Sequence, residues 1–131
     1  MLVKHLSNLP STRAADHSEL REILHPDRDD VALGYSLAHA VVGPGASSLR
    51  HVLAATEVYY ILSGRGTMHI DDGAAPVAPG DAVYIPSGAT QWLESDGSEP
   101  VAFLCIVDPP WRPEHEGTPR RAARPGEGDD T

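Results

Sequence analysis

The chain has 131 residues, 40% of them hydrophobic, and a formal net charge of −9, which places it among single-domain globular chains. A phosphate-binding surface needs clustered Lys and Arg, yet residues 31–108 hold only Arg50 and Arg65 against eight acidic residues, so no nucleic-acid partner is expected. No apolar run approaches membrane-spanning length and the N-terminus lacks a signal-peptide core, so the reading is a cytoplasmic protein with no membrane partner.

Residues 1–30 are polar and mixed. In "SELREILH" the apolar residues Leu20, Ile23 and Leu24 have a helix-like spacing that Pro26 cuts short. This predicts a short helical or irregular arm over 1–30 that packs on the main body. From Val31 the pattern turns to short strands: "VALGYSLAHAVV", "SLRHVLA", "EVYYILSG", "GTMHIDDG", "GDAVYIPSG", "TQWLESDG" and "PVAFLCIVD". The stretch "SGRG" reads as a tight turn between two of them, and "DDGAAP" as another. Seven or eight strands punctuated by Gly and Pro predict an all-β antiparallel barrel or jelly roll over 31–112. The segment 113–131 is rich in Pro, Gly and charge and is expected to be a flexible, disordered tail, with Trp111 tacking the junction onto the barrel. The single cysteine, Cys105, lies in the apolar run "VAFLCIV" and reads as a buried small hydrophobe.

Side chains alternate between the faces of a strand, so His51 shares a face with Leu53, and Glu57 with Tyr59 and Ile61. If the apolar members point inward, His51 and Glu57 do so too. An ionised Glu inside a barrel is costly unless it is paired, hydrogen-bonded or metal-bound. His51 and Glu57 are therefore the candidate catalytic pair, as two ligands of one metal or as an acid and a base. His39, on the face of Leu37 and Val41, is a candidate substitute ligand and pocket residue, and Leu53, Tyr59 and Met68 are further pocket candidates. His5, His17, His25 and His115 lie in polar or terminal segments and are expected to be solvated. His69 and Trp92 fall on the face away from the site.

Two motifs then stand in register. "GASSLRHVLAATEVYYILSG" places Gly45, His51, Leu53, Glu57 and Gly64 at the spacing of the first cupin motif. "GDAVYIPSGATQWLES" places Gly80, Pro86, Gly88, Gln91 and Ser95 at that of the second. The chain resembles a small single-domain cupin of the type 2 conserved barrel family. The resemblance implies a double-stranded β-helix, a β-sandwich barrel of six to eight strands with one pocket, often as a homodimer. It also implies a divalent metal held by two His and a Glu of the first motif and a His of the second. This chain departs there: Leu53 replaces one His and Gln91 another, leaving His51, Glu57 and Gln91 as the metal candidates for Zn, Mn, Fe, Co or Ni. The expected function is a cupin that binds such a metal and a small polar organic metabolite, as a non-redox isomerase or lyase. The alternatives are a metal-free acid–base enzyme built on His51 and Glu57, and a non-catalytic small-molecule-binding or sensing barrel.

Overall fold

The computed structural model describes residues 1–117. Among the described residues eleven strands are formed: β1 (Thr12–Arg13), β2 (Glu19–Leu24), β3 (Ser36–Val42), β4 (His51–Leu53), β5 (Thr56–Ser63), β6 (Gly66–Ile70), β7 (Gly73–Val77), β8 (Ala82–Ile85), β9 (Thr90–Ser95), β10 (Val101–Asp108) and β11 (Glu116–Gly117). They make two antiparallel sheets, one of six strands in the order β1-β2-β3-β10-β5-β8 and one of five in the order β11-β4-β9-β6-β7. No helix of the described residues is long and apolar enough to cross a membrane.

Alternation builds the core. On β10 Val101, Phe103, Cys105 and Val107 are buried, and on β5 Glu57, Tyr59 and Ile61. They meet Leu53, Met68 and Leu93 of the facing sheet. Each large apolar side chain so buried contributes about 1.5–3 kcal/mol.

Three expectations are corrected here. Residues 19–24 form a strand, not a helix. The segment is too short for a stable helix before Pro26, and it lies against β3 with Leu20 opposite Ala40 and Arg21 opposite His39. The stretch "SGRG" is not a hairpin turn, because β5 pairs with β10 and β8 while β6 pairs with β9 and β7, so the chain crosses between sheets there. Gly64 makes the corner at φ +80°, where a Cβ would stand 2.1 Å from the Pro100 carbonyl oxygen. The turn at Asp71–Asp72 does close a hairpin, between β6 and β7.

The third correction concerns His25, which is fully buried rather than solvated. Its Nδ1 accepts the Asp27 N–H at 3.0 Å, so the proton sits on Nε2, which donates to the Trp111 carbonyl at 2.6 Å. Trp111 also donates its backbone N–H to Ser36 Oγ at 2.9 Å and its indole N–H to Glu116 Oε1 at 2.7 Å. The chain after β10 is thereby tied to the segment after β2, to β3 and to β11. The barrel continues past residue 112, because Glu116 pairs with Leu53 and Gly117 with Val52. The rest of the expected tail, 118–131, lies outside the described residues.

Candidate functional site

Glu57 is set by β5 to point between the sheets, 3% exposed. Its Oε1 accepts Gln91 Nε2–H at 2.9 Å, and its Oε2 accepts the Cys105 thiol at 3.3 Å. Gln91, on β9 of the other sheet and 1% exposed, accepts at Oε1 the Tyr59 hydroxyl at 3.0 Å. A chain of donors thus runs Tyr59 to Gln91 to Glu57, crossing from the six-stranded sheet to the five-stranded one and back. Each of these groups is buried and each has a partner, as a low-dielectric interior demands.

Burial pushes the Glu57 carboxyl above its ordinary range, opposed by the bonds from Cys105 and Gln91 and by the nearby His51. Burial also raises the Tyr59 phenol and the Cys105 thiol well above their usual values, with the Glu57 charge adding to it. Cys105 is therefore a neutral donor to Glu57, not a thiolate nucleophile.

Glu57 opens on a cavity of about 550 Å³. Its walls include Leu53, Tyr59, Phe103, Val107 and Trp111, with Ala38 and Ala40 of β3. The N-terminal arm closes one side through residues 9–16, and His51, Asp16, Ser18 and Glu116 add polar atoms. His51 stands opposite Gln91 in the β4–β9 ladder, and its Nδ1 lies 3.2 Å from the Leu49 carbonyl.

Of the candidates, Glu57 and Gln91 are in contact, His51, Leu53 and Tyr59 line the cavity with Glu57, and Gln91 reaches it through Glu57. His39 and Met68 do not line it. His39 faces outward between Arg21 of β2 and Leu104 of β10, because Ser36, Ala40 and Val42 are the inward residues of β3; burial and then Arg21 lower its pKa. Met68 is packed in the core between the sheets. His69 and Trp92 do lie on the outer face, stacked at 4.2 Å and 4°, with Arg50 over the Trp92 ring at 4.0 Å.

The residues present do not fit the metal centre that the resemblance implies. Leu53, 2% exposed, offers no donor where an imidazole is expected. Gln91 turns its amide nitrogen toward Glu57 and commits its oxygen, the atom that could ligate, to Tyr59. Among the described residues no three His, Cys, Asp or Glu side chains are grouped to hold an ion.

Two contributors were missed by the sequence reading. Cys105 as the second donor to Glu57 was legible in alternation, since it shares a face with Phe103 and Val107. Asp16 had no signal, because the patterned stretch of the arm, Leu20 to Leu24, begins after it.

Comparison with known proteins agrees with the two-sheet barrel. The chain is 39% identical over 104 residues to an uncharacterized protein of Methanocaldococcus jannaschii, covering 79% of this chain and 81% of that one. Among solved structures it resembles the polyketide cyclase RemF of Streptomyces resistomycificus, with a TM-score of 0.74 and 21% identity over 86% of this chain and 82% of that chain. It also resembles a predicted oxalate decarboxylase of Thermotoga maritima, with a TM-score of 0.71 and 23% identity over 82% of this chain and 98% of that one. At these identities the two structures share a fold with this chain and carry no activity over to it. Residues 38–107 match the cupin domain, and with both motifs in register the chain belongs to the cupin family.

Proposed function

We propose that the chain is a metal-independent cupin that binds a small organic molecule and transfers a proton to or from it through Glu57. The observation that carries this reading is a carboxyl 3% exposed at the wall of an otherwise largely apolar cavity, held by two neutral donors. Burial raises its pKa above the ordinary carboxyl value, which favours its protonated form and suits a group that must take up a proton as well as release one. Each Glu57 oxygen accepts one protein hydrogen bond and keeps a second lone pair for substrate. Gln91, oriented by Tyr59, fixes the carboxyl from behind, and His51 sits in the same wall as a second proton carrier. An isomerisation or elimination next to a carbonyl needs only these groups.

The test is to incubate the full chain with a pool of small cellular metabolites and follow their depletion by mass spectrometry, with and without EDTA. Turnover that survives EDTA and disappears in Glu57→Gln is the expected result. Turnover abolished by EDTA and restored by a divalent ion would establish the metal-dependent reading instead. A tight ligand that is never consumed would establish a binding or sensing barrel.

A second copy of the chain is the proposed partner. The outer face of the six-stranded sheet exposes Tyr60, Leu62, Tyr84 and Ile106, neighbours across β5, β8 and β10. Contiguous apolar side chains on a sheet face favour association. Sedimentation should show a dimer that Tyr84→Glu converts to monomer.

A further inference from the structure

Five carboxyl groups line the cavity: Glu57 from β5, Asp16 from the turn before β2 and Glu116 from β11, together with Glu22 and Asp29, which are paired with Arg28 and Lys4. The cations along the same wall are mostly engaged elsewhere. Lys4 Nζ is 2.6 Å from Asp29 Oδ1, and Arg28 is paired with Glu22. Arg13 is exposed at the mouth. Asp16 acts on Glu57, Tyr59 and Cys105 alike and Glu116 on Cys105, each opposing a further negative charge, and His51 acts on Glu57 in the opposite sense. The interior is therefore acidic, although it is walled by aromatic and aliphatic side chains.

Asp16 sharpens this. It is 9% exposed, and its Oδ1 accepts the backbone N–H of Ser18 at 3.0 Å and the Ser18 hydroxyl at 2.6 Å. Its Oδ2 accepts no hydrogen bond from the described residues. Oδ2 is thus left to accept a hydrogen bond from a ligand in the cavity that Asp16 lines. The rings of Tyr59, Phe103 and Trp111 line the same space, and aromatic faces attract cations.

We infer that the cavity receives a small organic cation, an amine on an apolar body, with its ammonium group on Asp16 Oδ2 and facing Glu57. The body lies against Tyr59, Phe103 and Trp111. The inference rests on the reading of this cavity as the ligand site and names the class of ligand; it does not require turnover. Asp16 is then the residue that selects charge, and the arm that carries it is part of the binding site.

The experiment is calorimetric titration of the full chain, in EDTA at pH 7, with 2-phenylethylamine, 2-phenylethanol and phenylacetate, which share a body and differ in charge. The amine is expected to bind at least tenfold more tightly than the alcohol, and phenylacetate more weakly still. Asp16→Asn, whose amide oxygen can still accept from Ser18, should weaken the amine at least tenfold, whereas Arg65→Gln, at an exposed residue outside this cavity, should leave it unchanged. Preference for phenylacetate, equal binding of all three, no binding of the amine, or an amine preference intact in Asp16→Asn would each overturn the inference. The ranking on the unmodified chain decides the matter even where the variant does not fold. Amine preference without metabolite turnover sinks only the catalytic reading; Glu57-dependent turnover without amine preference sinks only this one.

Discussion

Replacing Gln91 by Leu tests the chain of donors that links the two sheets. Leu matches Gln closely in volume, so no large cavity opens, and the loss is one of hydrogen bonding. Two groups lose a partner, the Tyr59 hydroxyl at 3.0 Å and Glu57 Oε1 at 2.9 Å. Each buried polar group left unsatisfied costs about 1–3 kcal/mol, so Gln91→Leu should destabilise by about 2–6 kcal/mol. Tyr59→Phe alone leaves only the Gln91 carbonyl unpaired, at about 1–3 kcal/mol. In the double variant both ends of the Tyr59–Gln91 bond are gone, and only Glu57 Oε1 lacks its donor. The double variant should therefore be no less stable than Gln91→Leu alone, and well short of the sum of the singles. Urea unfolding of the four proteins, followed by tryptophan fluorescence and circular dichroism, measures this coupling. Additivity within about 0.5 kcal/mol would mean that the two side chains do not act together, and would refute the donor chain.

Burial raises the Glu57 carboxyl above its ordinary 4.5, so the native state keeps a proton that the unfolded chain has lost. The stability this group lends is complete below pH 4.5 and is lost as pH rises through the native value. Subtracting the Glu57→Gln stability curve from that of the wild type should expose the fall; a flat difference refutes the raised pKa. Leu53→His adds an imidazole to the cavity wall beside Glu57 and should raise Co²⁺ affinity at least tenfold over wild type, read from the visible absorption of the bound ion; no change would mean that residue 53 does not face Glu57. Gly64→Ala should cost more than Gly80→Ala: both impose a positive φ on an L-residue, at about 1–2 kcal/mol, but only at Gly64 does the new Cβ meet a backbone oxygen, at 2.1 Å. Thermal unfolding of the two variants ranks them, and equal losses would deny the tight corner at Pro100.

Much of the fold was legible in the residues themselves. Alternation on β5 and β10, together with turn residues between short strands, called for an antiparallel barrel, and both motifs kept their spacing because glycines and Pro86 stand at its turns. The same alternation turned Glu57, Leu53 and Gln91 inward, since period-two patterning is a local property. It also misled locally: apolar residues at Leu20, Ile23 and Leu24 fit a helix as well as a strand, and only pairing with β3 chose between them.

Other features depended on contacts between residues far apart in the chain. The two donors to Glu57, Gln91 and Cys105, are 34 and 48 residues from it, and whether the Gln91 amide presents nitrogen or oxygen was settled by the Tyr59 hydroxyl. His25 looked like a solvated surface residue until the segment after β10 covered it, 86 residues away. Asp16 came to the cavity because the arm folds back along β3, an arrangement that no spacing in residues 1–30 encodes. The sequence by itself thus determined which side chains share a face of each strand, because that follows from backbone periodicity, although on β3 the structure turned the face of His39 outward. Only the tertiary structure decided what they meet, because partners on different strands are set by sheet register and by the packing of one sheet on the other.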